Sequence, residues 1–259
     1  MNWPENRERN AQLGRYLLTD WCREKDIDPK GLFSDLERNY STHPTGYHTL
    51  EGHVLPLLPD LLRCKTKHQT ELIAAWLFHD AVYLPRRHDN ELMSARELVS
   101  AIEDGSLRGA RRVKLDSPYW VDVSFIVDGF DDHSMRLVEY REEPTDFFID
   151  AKLAKKILLA TKHDREPTSL GERLIVDCDL AILGAPREEF IAYEQAIRKE
   201  YSFVPSFLFR KKRAEILEQF LERPRIYTSG HFDDLEERAR ENLRWSIDRL
   251  RSRRSLLKA

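Results

Sequence analysis

The chain has 259 residues, 34% of them charged and 41% hydrophobic, with a formal net charge of −3. That length supports one large buried core, and the mix excludes a disordered chain or one embedded in a membrane. A slight acidic excess argues against nucleic acid as partner, because surfaces that grip it are usually strongly basic.

In chain order, the first nine residues show no apolar h-region, and no apolar run approaches the roughly 18 residues of a membrane span. Helical spacing of Leu13, Tyr16, Leu17 and Trp21 predicts an amphipathic helix over 6–25, with those side chains as its packed face. The turn-rich Tyr40-Ser-Thr-His-Pro-Thr-Gly46 leads into Tyr47-His-Thr-Leu-Glu-Gly-His53. Pro56 and Pro59 follow, so a helix there is short, kinked, or begins after the histidines. Thr66 and Gln69 stand at capping-box spacing and Pro85 is a stop, which predicts a helix between them. From Leu72 to Val82 it is apolar on every face except at His79 and Asp80, the pattern of a helix buried all round. Asn90 is placed to cap a helix from Glu91 to about Ile102.

Residues of about 104–145 differ from the rest. Tyr119-Trp-Val-Asp-Val-Ser-Phe-Ile-Val127 is β-branched and aromatic, and Asp128-Gly-Phe-Asp-Asp132 and Met135-Arg-Leu-Val138 follow it, as in a small hairpin or another ordered excursion. Helical patterns then occupy 147–162, 170–183, 187–201, 207–221 and 233–254. The expected architecture is all-α and a single domain over 1–259. Its core covers about 6–103 and 146–222, its insertion about 104–145, and its C-terminal helix about 233–256. Cys22, Cys64 and Cys178 lack C-x-x-C spacing, so a reducing, cytoplasmic setting without a membrane partner is expected. The basic residues at Arg210-Lys-Lys-Arg213 and near the C-terminus read as solvated helix surface.

Chemistry-bearing residues are spread over four segments: His48 and His53, His79-Asp80, His163, and Asp177 or Asp179. A carboxylate in an apolar helix has to be protonated, paired or bound to a cation. Two imidazoles with two carboxylates suit divalent manganese, iron, cobalt, nickel or zinc, whereas magnesium prefers more oxygen. Such an ion polarises phosphoryl oxygens and lowers the pKa of water, which is hydrolase chemistry. Asp177 and Asp179 point about 200° apart on a helix, so one of them reaches the centre, with Asp179 favoured. Glu91 is either an orienter of the attacking water or a first-turn acid, and His163 with Lys162 is a phosphate-side candidate.

His53, the doublet His79-Asp80 and Asp179 resemble the H…HD…D signature of the HD superfamily of metal-dependent phosphohydrolases. More narrowly, Tyr47-His48, Phe78-His-Asp-Ala-Val-Tyr83, Asp89-Asn-Glu91 with Ser94-Ala95, Thr161-Lys-His163, Asp177-Cys-Asp-Leu-Ala-Ile-Leu-Gly184, Ile197-Arg-Lys-Glu-Tyr201 and Ala239-Arg-Glu-Asn-Leu243 are similar, in that order, to an uncharacterised bacterial branch of that superfamily. The resemblance implies an HD-domain helical bundle in which His53, His79, Asp80 and Asp179 hold one divalent metal, with a second metal left open. It implies a small phosphorylated substrate, foremost a nucleotide, cleaved as a phosphomonoester or phosphodiester, and a homodimer of the kind HD relatives commonly form. Tyr47-His48 is also similar to the Tyr-His-Asn-x-x-His motif of cyclic-nucleotide phosphodiesterases, which makes His48 the expected proton donor. Arg86, Arg87, Lys162 or Arg198 is expected to neutralise developing charge, although a structural pairing is the simpler reading of Arg198 and a helix-end position accounts equally for Lys162. The family's spacing between its two histidines is four, and here it is five, so whether His48 or His53 is the ligand stays open. Thr45-Gly46 replaces a basic residue, and the excursion is long for the family. The alternative is a non-catalytic HD scaffold that binds a nucleotide or a protein partner.

Overall fold

The computed structural model describes residues 7–43, 46–103, 105–108 and 148–252, with the backbone of 110–114 and 140–144. The architecture is all-α. Helices α1 (Arg7–Glu24) and α2 (Pro29–Tyr40) precede a single π turn (Leu50–Val54) that runs into α3 (Leu55–Arg63), and α4 (Gln69–Phe78) and α5 (Asn90–Glu103) follow. After the insertion come α6 (Ala151–Leu158), α7 (Leu170–Asp179), α8 (Arg187–Glu200), α9 (Ser206–Glu222) and α10 (Glu236–Arg251). Short 3₁₀ turns extend α6 to Lys162 and α7 to Gly184 and lead into α10 at Asp233–Leu235. Among the described residues no helix is long and apolar enough to cross a membrane.

Helix α4 is the centre of the body, touching α3, α5, α6 and α7. Every residue from Leu72 to Phe78 is buried, as its unbroken apolar sequence requires. Its ends differ from the sequence expectation. Gln69 does not close a capping box with Thr66; its amide donates to the carbonyls of Leu62 (2.7 Å) and Cys64 (3.3 Å), and so satisfies the end of α3 instead. The helix also stops at Phe78, well short of Pro85. Side chains from elsewhere take carbonyls at its end and in the turn beyond: Tyr40 Oη donates to Leu77 O (3.1 Å), and the imidazole of His43 lies 3.3 Å from Ala81 O. Beyond it, Ser94 Oγ and the Asn90 amide hold the backbone of Val82 and Leu84, so Asn90 ties down the loop rather than capping α5. The His-Asp doublet therefore stands at a helix end, where its side chains reach a cavity.

In α1 the buried face is Ala11, Gly14, Leu18, Trp21 and Cys22, while Leu13 and Tyr16 are exposed. The cause lies in α3. Pro59 has no N–H for the carbonyl of Leu55 one turn earlier, and α1 presents Gly14 to that carbonyl, so closely that a β-carbon there would collide with it. Backbone proximity, more than apolar periodicity, sets the rotation of α1.

Part of the expected insertion is a two-stranded antiparallel ladder, β1 (Ala110–Lys114) with β2 (Tyr140–Pro144), in register Ala110↔Pro144 to Lys114↔Tyr140. The segments that suggested strands, 119–127 and 135–138, lie outside the described residues, as do Arg253 and Arg254. All three cysteines are buried free thiols, and burial pushes Cys22 up to about 12 and Cys64 up to about 11.

Candidate metal centre and its cavity

Three segment ends converge. In the π turn, Thr49 Oγ1 accepts from Gly52 N (2.9 Å), and the N–H groups of Val54 and Leu55 reach back five residues to the carbonyls of Thr49 and Leu50. A π turn holds one residue more than an α turn, and this extra residue accommodates the five-residue separation of His48 and His53. His53 is thereby fully buried under the cavity floor. His79 and Asp80 project from the end of α4, and Asp179 is the last residue of α7.

His53 Nε2 lies 3.0 Å from His79 Nε2, 3.1 Å from Asp179 Oδ1 and 3.7 Å from Asp80 Oδ2. His79 Nε2 lies 3.1 Å from Asp80 Oδ2 and 3.7 Å from Asp179 Oδ1. Ligand atoms about 2.1 Å from one ion and about 90–110° apart stand roughly 3.0–3.4 Å from each other, so the separations of His53 from His79 (3.0 Å) and Asp179 (3.1 Å), and of His79 from Asp80 (3.1 Å), suit a shared cation. Tautomers agree. His79 Nδ1 sits 2.7 Å from the carbonyl of Trp76, to which it can only donate, and its ring stacks on that indole at 4.3 Å. Its Nε2 lone pair is thus turned into the cluster, the usual arrangement of a metal-binding histidine. Asp80 Oδ2 is buried and accepts no hydrogen bond. His53, His79 and Asp80 therefore fit a divalent ion, with Asp179 beside them at 3.1 Å from His53.

The electrostatics point the same way. Burial favours the neutral acids, yet the positive field of His79 holds Asp80 below the ordinary carboxylate value. Asp179 is likewise held low, against burial, by bonds from His163 and His53 and by the charge of His79. In return Asp80 and Asp179 overcome the burial of His79 and push its imidazole up to about 10, while burial draws His53 down. Two ionised carboxylates on a buried floor call for positive charge, as imidazolium or as metal.

Above the floor is a cavity of about 350 Å³, near the small end of the range for ligand sites. Asp80, Asp179, His48, His163, Glu91 and Arg213 are among its walls. His48 stacks on Tyr83 at 3.9 Å, and its Nδ1 is 2.9 Å from Glu200 Oε2. Glu200 is buried and also accepts from Tyr47 N (2.5 Å), His48 N (3.1 Å) and Tyr83 Oη (3.0 Å). Burial lowers the proton affinity of His48, but the Glu200 bond together with the charges of Asp80, Glu200 and Asp179 outweighs it and raises the imidazole above its ordinary value. His163, in the left-handed region at φ 57°, places Nε2 3.0 Å from Asp179 Oδ2. Arg213, its side chain only 10% exposed, donates to Glu194 Oε1 and to Tyr193 Oη (2.9 Å).

Of the residues singled out in the sequence, His48, His53, His79, Asp80, Glu91, His163 and Asp179 come together at this one place. Asp177 faces the other way, accepting from Thr228 N (2.9 Å) and Ser229 N (2.7 Å). Lys162 is exposed and paired with Asp164 at 2.7 Å. Three expected phosphate contacts are engaged elsewhere. Arg86 lies over the Phe203 ring, Arg87 forms a fork with Asp89 (2.8 and 2.7 Å), and Arg198 donates to the carbonyls of Tyr201 and Val204. Sequence reasoning missed Glu200 and Tyr83 as partners of His48, Trp76 as the orienter of His79, and Arg213 as the guanidinium on the cavity wall. No protein-family model matches the chain, and no curated protein or solved structure is significantly similar to it.

Proposed function

We propose that the protein is a metal-dependent phosphohydrolase that cleaves a small phosphomonoester or phosphodiester, foremost of a nucleotide. The observation that carries this reading is the convergence of His53, His79 and Asp80 from separate segment ends at the floor of a cavity, with the Asp179 carboxylate 3.1 Å from His53. The resemblance of these four residues to the HD signature supports it independently. His53, His79, Asp80 and Asp179 would hold the ion, and two nitrogens with two oxygens favour manganese, iron, cobalt, nickel or zinc over magnesium. A divalent ion there supplies Lewis acidity toward a phosphoryl oxygen and lowers the pKa of the attacking water.

The remaining work falls to the chain's own groups. With Nδ1 committed to Glu200, His48 keeps its exchangeable proton on Nε2, for the leaving oxygen. Glu91 on the same wall accepts from and orients a water. Arg213, preset by Glu194 and Tyr193, offers fixed positive charge to the developing phosphoryl anion, a preorganised contact of the kind that acts most strongly away from bulk water. Phosphate release from a nucleotide panel, with manganese, cobalt, nickel, magnesium or chelator, tests the proposal against Asp80→Ala. Metal-dependent release that vanishes in the variant is expected. Release that persists in the variant would overturn it, and binding without release from any nucleotide would favour the scaffold reading.

A further inference from the structure

His163 belongs to two cavities. One is the metal cavity; the other, of about 520 Å³, is lined by Arg165, Arg173, Arg223 and Arg225. Arg165 is balanced by Glu172 and Arg225 by Asp233, each at 2.7 Å. Among the described residues Arg173 and Arg223 have no carboxylate within ion-pair distance. Asp164 on the same wall is already held by Lys162. Arg223 is half-buried, with its guanidinium 4.7 Å above the ring of Phe220. Phe220 in turn lines the metal cavity and meets His163 edge to face at 5.7 Å. His163 is thus the side chain common to both cavities, and Phe220 links it to Arg223.

A desolvated guanidinium without an anion is costly, and burial accordingly depresses the proton affinity of Arg223, with Glu166 the nearest opposing charge. Guanidinium forks match phosphate oxygens in geometry as well as charge. The left-handed backbone of His163 is itself sparsely populated for a residue with a β-carbon, and it is what sets the imidazole on the boundary. A single phosphate at the metal floor cannot also occupy the arginine cavity. Because His163 lines both cavities, they adjoin, and a chain of phosphates laid across that residue would meet both.

We infer that the arginine cavity is a second anion subsite, holding the distal phosphates of an oligophosphate compound whose reacting phosphoryl group lies in the metal cavity beyond His163 and Phe220. The second half of that statement rests on the phosphohydrolase reading; the first does not. Calorimetric titration of the full chain with tripolyphosphate and with orthophosphate, in chelator, tests it. Tripolyphosphate should bind at least about tenfold more tightly than orthophosphate, an advantage that R173Q/R223Q should remove and D80N should keep. Because Arg173 is exposed, R173Q alone leaves the fold untouched and should still weaken tripolyphosphate about threefold. Equal binding of the two anions, or undiminished tripolyphosphate binding in the double variant, would overturn the subsite. Tripolyphosphate preference without turnover of any phosphate ester would instead remove the hydrolase reading and leave the subsite standing.

Discussion

Replacing Glu200 by Gln tests the proton-donor arrangement most directly. The buried carboxylate accepts four hydrogen bonds, from Tyr47 N, His48 N, His48 Nδ1 and Tyr83 Oη. A glutamine keeps one carbonyl oxygen for the two backbone groups, but its NH₂ then faces two donors, His48 Nδ1–H and Tyr83 O–H. His48 must change tautomer or lose its proton. Losing one hydrogen bond to a charged group costs about 2 kcal/mol, equivalent to a fall in Tm of about 4–8 °C for a chain this long. The sign with pH follows from His48, whose folded-state pKa is raised despite burial because the Glu200 bond, with the charges of Asp80, Glu200 and Asp179, favours its charged form. That stabilisation is complete below the ordinary imidazole value of about 6.5 and is lost as pH rises through the folded value. The E200Q penalty should therefore be largest at mildly acidic pH and shrink toward alkaline pH, as read by thermal or urea melts. In turnover assays the alkaline limb of kcat/KM should move to lower pH, while retention of metal is unchanged. A variant with the wild-type melting curve and an unmoved alkaline limb would refute the role given to Glu200.

Four other outcomes are expected. Saturating manganese or zinc should raise Tm, by about 4 kcal/mol of added stability at a thousandfold excess over Kd, with no rise in D80A. Because Trp76 stacks on His79, cobalt or nickel should quench tryptophan fluorescence, and Trp76→Phe should abolish the quenching. Asp177→Asn should cost about 1–2 kcal/mol by weakening the hold on Thr228 and Ser229, yet leave metal content intact by elemental analysis; Asp179→Asn should do the reverse. Gly14→Ala should destabilise the protein in urea melts, since overpacking against the Leu55 carbonyl costs about 1–3 kcal/mol and outweighs the roughly 1 kcal/mol gained in helix propensity. A more stable G14A would show that α1 and α3 can part at no cost.

The helical body was legible because its periodicity is local: α8, α9 and α10 begin and end within a few residues of the expected positions. The floor of the site was legible for a different reason. His79 and Asp80 are polar residues in an otherwise apolar stretch, and such residues need partners. Glu200 carried no comparable signal, standing among charged neighbours on α8 like any solvated acid; only the fold turns it inward beneath His48. Arg213 was hidden in the same way within Arg210-Lys-Lys-Arg213. The expected arginine contacts show the converse. Arg86, Arg87 and Arg198 are basic residues near the right motifs, but charge alone says nothing of direction, and each meets a nearer partner. The exposed Leu13 and Tyr16 of α1 misled because the deciding contact, a glycine against a carbonyl, is invisible to hydrophobic spacing.

The π turn at Leu50–Val54 makes chain length itself part of the site. Substituting a residue between His48 and His53 changes one side chain. Deleting one would return the turn to α-helical bonding and swing His53 by about 100° and along by about 1.5 Å relative to the residues before it. One histidine or the other would then leave the cavity, whatever its neighbours were. This stretch should therefore tolerate many replacements and no change in number, so that a single-codon deletion does there what no single substitution outside the two histidines can.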